Sequence, residues 1–168
     1  MKKILITIAL SFILSTPVFS ETDQRKYSQG QVFIEIKDFN EKEKTNKEII
    51  KLKKCATCPG IDNFLPFTES TKMWLVVRND KFFFPSELIT GLYNLHIGSD
   101  FIKETFTVKE TKTGVIVKVS GGDGSASYDA EFDINLIDML VKRKIYQYPN
   151  KEKPEIKTGN IKYSGKAP

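Results

Sequence analysis

The sequence predicts a single α+β domain: an antiparallel meander of about five or six strands packed against two or three helices. Three observations predict it. Apolar and polar residues alternate over Gln31–Phe39 and again over Ser125–Ile134, the period-2 signature of half-buried strands. Short connections rich in Gly, Asn and Asp separate apolar runs at Asn79-Asp80 and Thr111–Gly114, as hairpins require. Two stretches, Ser86–Ile97 and Leu136–Val141, shift to helical spacing. Residues 21–168 are enough for one domain that buries a core without several disulfides.

Taken in order, Met1–Ser20 joins a short basic start (Lys2, Lys3) to the apolar run Ile4–Leu14, with Pro17, Val18 and Ser20 leading to a cleavage site. This is the pattern of a secretory signal peptide, with cleavage expected near Ser20. The apolar run would rise only about 16 Å as a helix, short of the roughly 30 Å a bilayer core demands. Residues 21–30 are polar and are expected to form a flexible leader, followed by the domain over 31–148. In Gln31–Phe39, Val32, Ile34 and Ile36 share one face, and Phe33 breaks the alternation. Asn40–Lys54 is rich in Lys and Glu and reads as a short solvated helix or an edge strand, the helix being favoured. Cys55–Gly60 turns the chain, and Phe64–Phe67 reads as an apolar loop laid on the core.

The most apolar stretch, Met73–Ile97, holds the only Trp and the only His. It is expected to form strands Met73–Arg78 and Lys81–Phe84 around an Asn79-Asp80 turn, then a helix begun at Ser86 and ended at Gly98. Phe101–Lys109 and Val115–Ser120 form the next predicted hairpin, and Gly121–Gly124 a loop. Tyr128, Ala130, Phe132 and Ile134 then alternate with Asp129, Glu131 and Asp133. Leu136, Ile137, Leu140 and Val141 predict a helix over the dry face of the sheet. Residues 149–168, with Pro149, Pro154 and many Lys, predict an extended basic tail.

The formal net charge is +5, and removing Lys2 and Lys3 lowers it to +3. From Lys142 onward eight basic residues face two acidic ones, so a mildly acidic body carries a basic end. Lys142, Arg143, Lys144, Lys151 and Lys153 are therefore candidates for holding an anionic surface or an acidic partner. Tyrosines lie among these cations, a pairing that also suits nucleic acid, but export argues against that partner.

Cys55 and Cys58 are the sharpest chemical feature. In an exported chain they are expected to form a disulfide, worth only about 2 kcal/mol for so short a loop. Lys51, Lys53 and Lys54 precede the pair and would stabilise a thiolate, so a redox role is a second reading. The segment resembles the Cys-x-x-Cys motif of thioredoxin-like oxidoreductases over four residues only. It lacks that family's βαβ pattern and has Pro59-Gly60 after the second Cys.

No catalytic set emerges. His96 stands alone, and Gly124–Ser127 does not make a nucleophile elbow. Asp123–Glu131 begins like a calcium loop but has Tyr128 and Ile134 where a glycine and a bidentate Glu belong. Neither a metal nor a cofactor is expected. The sequence therefore points to an exported, periplasmic or secreted binding protein of an inhibitor, immunity or assembly-accessory type. Its expected partner is another envelope protein or an anionic envelope surface, and the alternative is a thiol–disulfide accessory protein.

Overall fold

The computed structural model describes residues 20–55, 58–61, 64–97, 105–122, 124–149 and 152–167. The predicted signal peptide, apart from Ser20, lies outside them, as do the start of the predicted strand at Phe101, Asp123 of the calcium-like segment, and Lys151.

The chain is mostly β, not α+β. Two five-stranded antiparallel sheets run in the orders β1-β2-β3-β4-β10 and β5-β6-β7-β8-β9. The first, sheet A, comprises β1 Ser20–Tyr27, β2 Gly30–Asp38, β3 Thr68–Val77, β4 Asp80–Phe83 and β10 Lys162–Lys166. The second, sheet B, comprises β5 Phe106–Glu110, β6 Gly114–Gly121, β7 Tyr128–Asn135, β8 Leu140–Gln147 and β9 Glu155–Asn160. Among the described residues two α-helices accompany them, α1 Asn46–Lys53 and the single turn α2 Ser86–Ile89.

One core joins the sheets because the inner strands β2, β6, β7 and β8 bury every second residue. Val32, Ile34 and Ile36 of β2 and Met73 and Leu75 of β3 meet Val115, Val117 and Val119 of β6 and Ala130, Phe132 and Ile134 of β7. The Phe84 and Phe132 rings touch across the interior at 5.8 Å between centroids. At one long edge Arg25 of β1 donates from Nε to the Phe106 carbonyl of β5, at 3.0 Å. At the other edge only Ile161 separates β9 from β10, and it is buried.

Several elements differ from the sequence reading, each for a physical reason. The helix expected over Ser86–Ile97 stops after one turn, since Gly91 (φ +89°) and Asn94 (φ +49°) leave helical space. The chain then crosses between the sheets, bridging Glu69 through Tyr93 and Gly121 through Leu95. The helix expected over Leu136–Val141 is a turn followed by β8: Asn135 Oδ1 accepts from the Ile137 and Asp138 amides, and Met139 is left-handed (φ +54°). That turn and strand share the apolar spacing of a short helix, which is why the sequence misleads here.

The expected leader is β1, paired along its whole length with β2, and the expected tail supplies β9 and β10. These edge strands carry mostly polar side chains, so hydrophobic alternation does not reveal them. The predicted loop at Phe64–Phe67 does not lie on the core either: Phe64 and Phe67 are 78% and 82% exposed. The hairpin turn falls one residue early, at Arg78-Asn79, with φ of +48° and +70°. The helix expected within Asn40–Lys54 does form as α1, started by a reciprocal capping box between Thr45 and Glu48.

Candidate functional site

Of the residues singled out for binding, Lys151 lies outside the described residues and the other four do not all face solvent. Lys142 and Lys144 lie on the outer face of sheet B, Lys153 is in an exposed turn, and Arg143 between them points inward and is 1% exposed. Its Nη1 donates to the carbonyls of Leu88 (2.8 Å) and Thr90 (3.3 Å), and Nη2 reaches Glu155 at 3.4 Å. Arg143 thus ties β8 to the end of α2, and burial lowers its pKa. Lys144 is already paired, at 2.8 Å from Glu131, which Lys118 approaches from the opposite strand at 3.2 Å. These cross-strand partners, Lys144 first, hold the Glu131 carboxyl below its ordinary range.

Cys55 and Cys58 form a disulfide. The Cys55 amide donates to the Leu52 carbonyl at 3.0 Å, so the pair hangs from the C-terminal end of α1. There the helix dipole disfavours a thiolate, the reverse of the helix N-terminus that activates a redox Cys. The disulfide closes the turn ahead of Gly60, whose amide donates to Ala126 O at 2.9 Å in the β6–β7 loop. Gly60 (φ +78°) faces Gly122 (φ +70°) so closely that a Cβ on Gly122 would lie 2.7 Å from the Gly60 Cα. His96 is half-buried; its amide donates to Ser120 O at 3.0 Å and its carbonyl accepts from the Thr105 hydroxyl. Among the described residues no group of three or more His, Cys, Asp or Glu could hold a metal ion, and no helix is long and apolar enough to cross a membrane.

What the structure does assemble is an aromatic row on the outer face of sheet A, where a two-layer fold would ordinarily present polar side chains. Phe33 of β2 pairs with Trp74 of β3, and Trp74 with Phe83 of β4. The Phe33 and Trp74 rings stack at 5.1 Å and 5°, Phe83 tilts against Trp74 at 6.0 Å, and Lys81 Nζ lies 4.8 Å from the Trp74 ring and 4.9 Å from Phe83. Phe33 and Trp74 each cover one face of the other, and Lys81 lies over both Trp74 and Phe83. Ring edges carry the positive part of the aromatic quadrupole.

Beside this row lies an open groove of about 630 Å³, bounded by the β1–β2 and β3–β4 turns. Phe33, Trp74 and Val76 form its apolar wall, Gln29, Gln31 and Asn79 supply amides, and among the described residues Lys26, Arg78 and Lys81 are the only charged ones that line it. Tyr27 also borders it, with a buried hydroxyl that has no hydrogen-bond partner. Burial, followed by the charge of Glu110, pushes the Tyr27 pKa up to about 12. Arg78 occupies a left-handed position that Asn or Gly fills at lower cost. The groove thus carries a cation where the backbone would prefer another residue.

Two signals in the sequence pointed here: Phe33 breaks the alternation of β2, and Lys81-Phe82-Phe83-Phe84 has aromatics at both parities. Compared with protein families, curated proteins and solved structures, the chain matches none at significant similarity.

Proposed function

We propose that this is an exported, non-catalytic binding protein and that the groove on sheet A receives an anionic partner of the cell envelope. The observation that carries the reading is the charge of the groove: among the described residues, Lys26, Arg78 and Lys81 line it and no carboxylate does. Such a lining attracts anions and repels cations before contact, and its apolar wall supplies contact area. An inhibitor, an immunity-type protein and an assembly accessory are all compatible with a site of this kind. The lining offers neither His nor Cys as an acid, base or nucleophile.

Trp74 is the only tryptophan and stands in the groove wall, so its fluorescence reports occupancy directly. Titration with a phosphorylated or sulfated oligosaccharide, beside its neutral counterpart, tests the reading. The expected result is a saturable change with the anionic compound alone, weakened by salt. An equal response to the neutral compound, or none to either, refutes it.

A further inference from the structure

Phe64 and Phe67 are exposed by construction, not for want of a place to pack. The amides of Phe67 and Thr68 donate to Asn94 Oδ1 at 2.8 and 3.1 Å, and the Phe67 carbonyl accepts from the Phe39 amide at 2.8 Å. Asn94 Nδ2 donates in turn to the Gly60 carbonyl at 2.8 Å, next to the disulfide-closed turn. Pro66 between the phenyls is buried. A hydrogen-bonded frame therefore fixes the backbone at Phe67 and Thr68, and the Phe64 and Phe67 rings beside it stand 78% and 82% exposed.

The same end of the sandwich is basic, because α1 and the Phe64–Phe67 turn both lie between the end of β2 and the start of β3. Residues 41–54 contain six Lys and three Glu. All three Glu are engaged: Glu41 pairs with Lys53, Glu43 with Lys37, and Glu48 closes the capping box. Among the described residues, Lys42, Lys47, Lys51 and Lys54 are exposed and have no carboxylate partner. Ile50 adds an apolar side chain, 52% exposed, on α1.

We propose that this end seats reversibly on an anionic lipid bilayer, with Phe64 and Phe67 at the headgroup–acyl boundary and the α1 lysines over the headgroups. Charge complementarity selects the occupant: unpaired lysines beside exposed aromatics are the combination that binds acidic membrane surfaces. The shape agrees, since rings standing this far clear of the protein would each need a pocket in a protein partner but need none in a bilayer. The docking end is separate from the groove. β3 runs ten residues from one to the other, roughly 30 Å, so a seated molecule holds the groove away from the membrane.

Co-sedimentation of the protein with vesicles of phosphatidylcholine alone and of phosphatidylcholine mixed with phosphatidylglycerol tests this. The protein is expected to partition onto the mixed vesicles and to be released by salt. F64S/F67S should weaken partitioning by about tenfold or more while leaving the unfolding curve unchanged, and K51E/K54E should weaken it on the mixed vesicles. No partitioning of the parent, or equal partitioning of F64S/F67S, overturns the proposal. If the parent ignores vesicles but self-associates in the ultracentrifuge and F64S/F67S does not, the phenyls belong to a protein interface and the proposal is wrong.

Discussion

Replacing Arg78 by Asn should make the protein more stable and a poorer binder at once. Arg78 and Asn79 form a two-residue turn with φ of +48° and +70°, both in the left-handed region. That region costs an ordinary side chain about 1 kcal/mol, and Asn recovers part of it by tolerating the conformation. Arg78 is exposed, its side chain has no described hydrogen bond or ion pair, and only its amide is tied down, to Gln29 O at 3.3 Å. The exchange therefore relieves the backbone and removes little packing, a gain of roughly 0.5–1 kcal/mol. For a domain of this size that raises the melting temperature by about 1–4 °C. The same exchange removes one of three cations from the groove, about 1 kcal/mol of attraction for a bound anion, or about a fivefold weaker Kd. Urea unfolding and the Trp74 titration measure the two effects on one sample. A loss of stability would refute the strain reasoning, and unchanged affinity for the anionic ligand would remove Arg78 from the site.

Arg143→Ala should cost about 3–5 kcal/mol, because it empties core volume and orphans the Leu88 and Thr90 carbonyls, whereas Lys142→Ala next to it should stay within about 0.5 kcal/mol; chemical denaturation separates them. Asn94→Ala should destabilise the Phe64–Phe67 turn by about 1–3 kcal/mol through the loss of three hydrogen bonds, seen as faster amide exchange at Phe67 and Thr68 with little change at Trp74. Glu131 has a lowered pKa when folded, so its contribution is present above the ordinary Glu range and fades as pH falls through the folded value. Glu131→Gln should accordingly cost up to about 1 kcal/mol at pH 7 and progressively less as the pH is lowered below the ordinary Glu range, measured as urea midpoints across a pH series.

Strands with one wet and one dry face announced themselves. Val32, Ile34 and Ile36 in β2 and Tyr128 to Ile134 in β7 alternate because one side of each is buried, and the Thr111–Gly114 connection carries its own turn residues. What stayed hidden has two causes. Edge strands need little apolar surface, so β1, β9 and β10 look like leader and tail: β9 presents Glu155, Lys157 and Thr158 to solvent. Short apolar runs do not reveal their period, so Leu136–Val141 fits a helix as well as the turn and strand it forms, and only Asn135 and Met139 decide.

The candidate site was legible only as an anomaly. Phe33 and Trp74 carry rings on a face that should be wet, but which rings meet depends on strand register, and register follows from tertiary pairing. Arg143 shows the opposite limit: a cation in a Lys-Arg-Lys run reads as surface, yet β-parity turns the middle residue into the core.

The passage from β9 through Ile161 into β10 gives the molecule a late-closing seam. These residues supply the outermost strand of both layers, β9 beside the preceding β8 and β10 beside the far earlier β4. A chain cut after Tyr148 would not merely lose an appendage. It would leave the backbone groups of two strands unmatched, ready to recruit a neighbouring molecule, so such fragments should form aggregates.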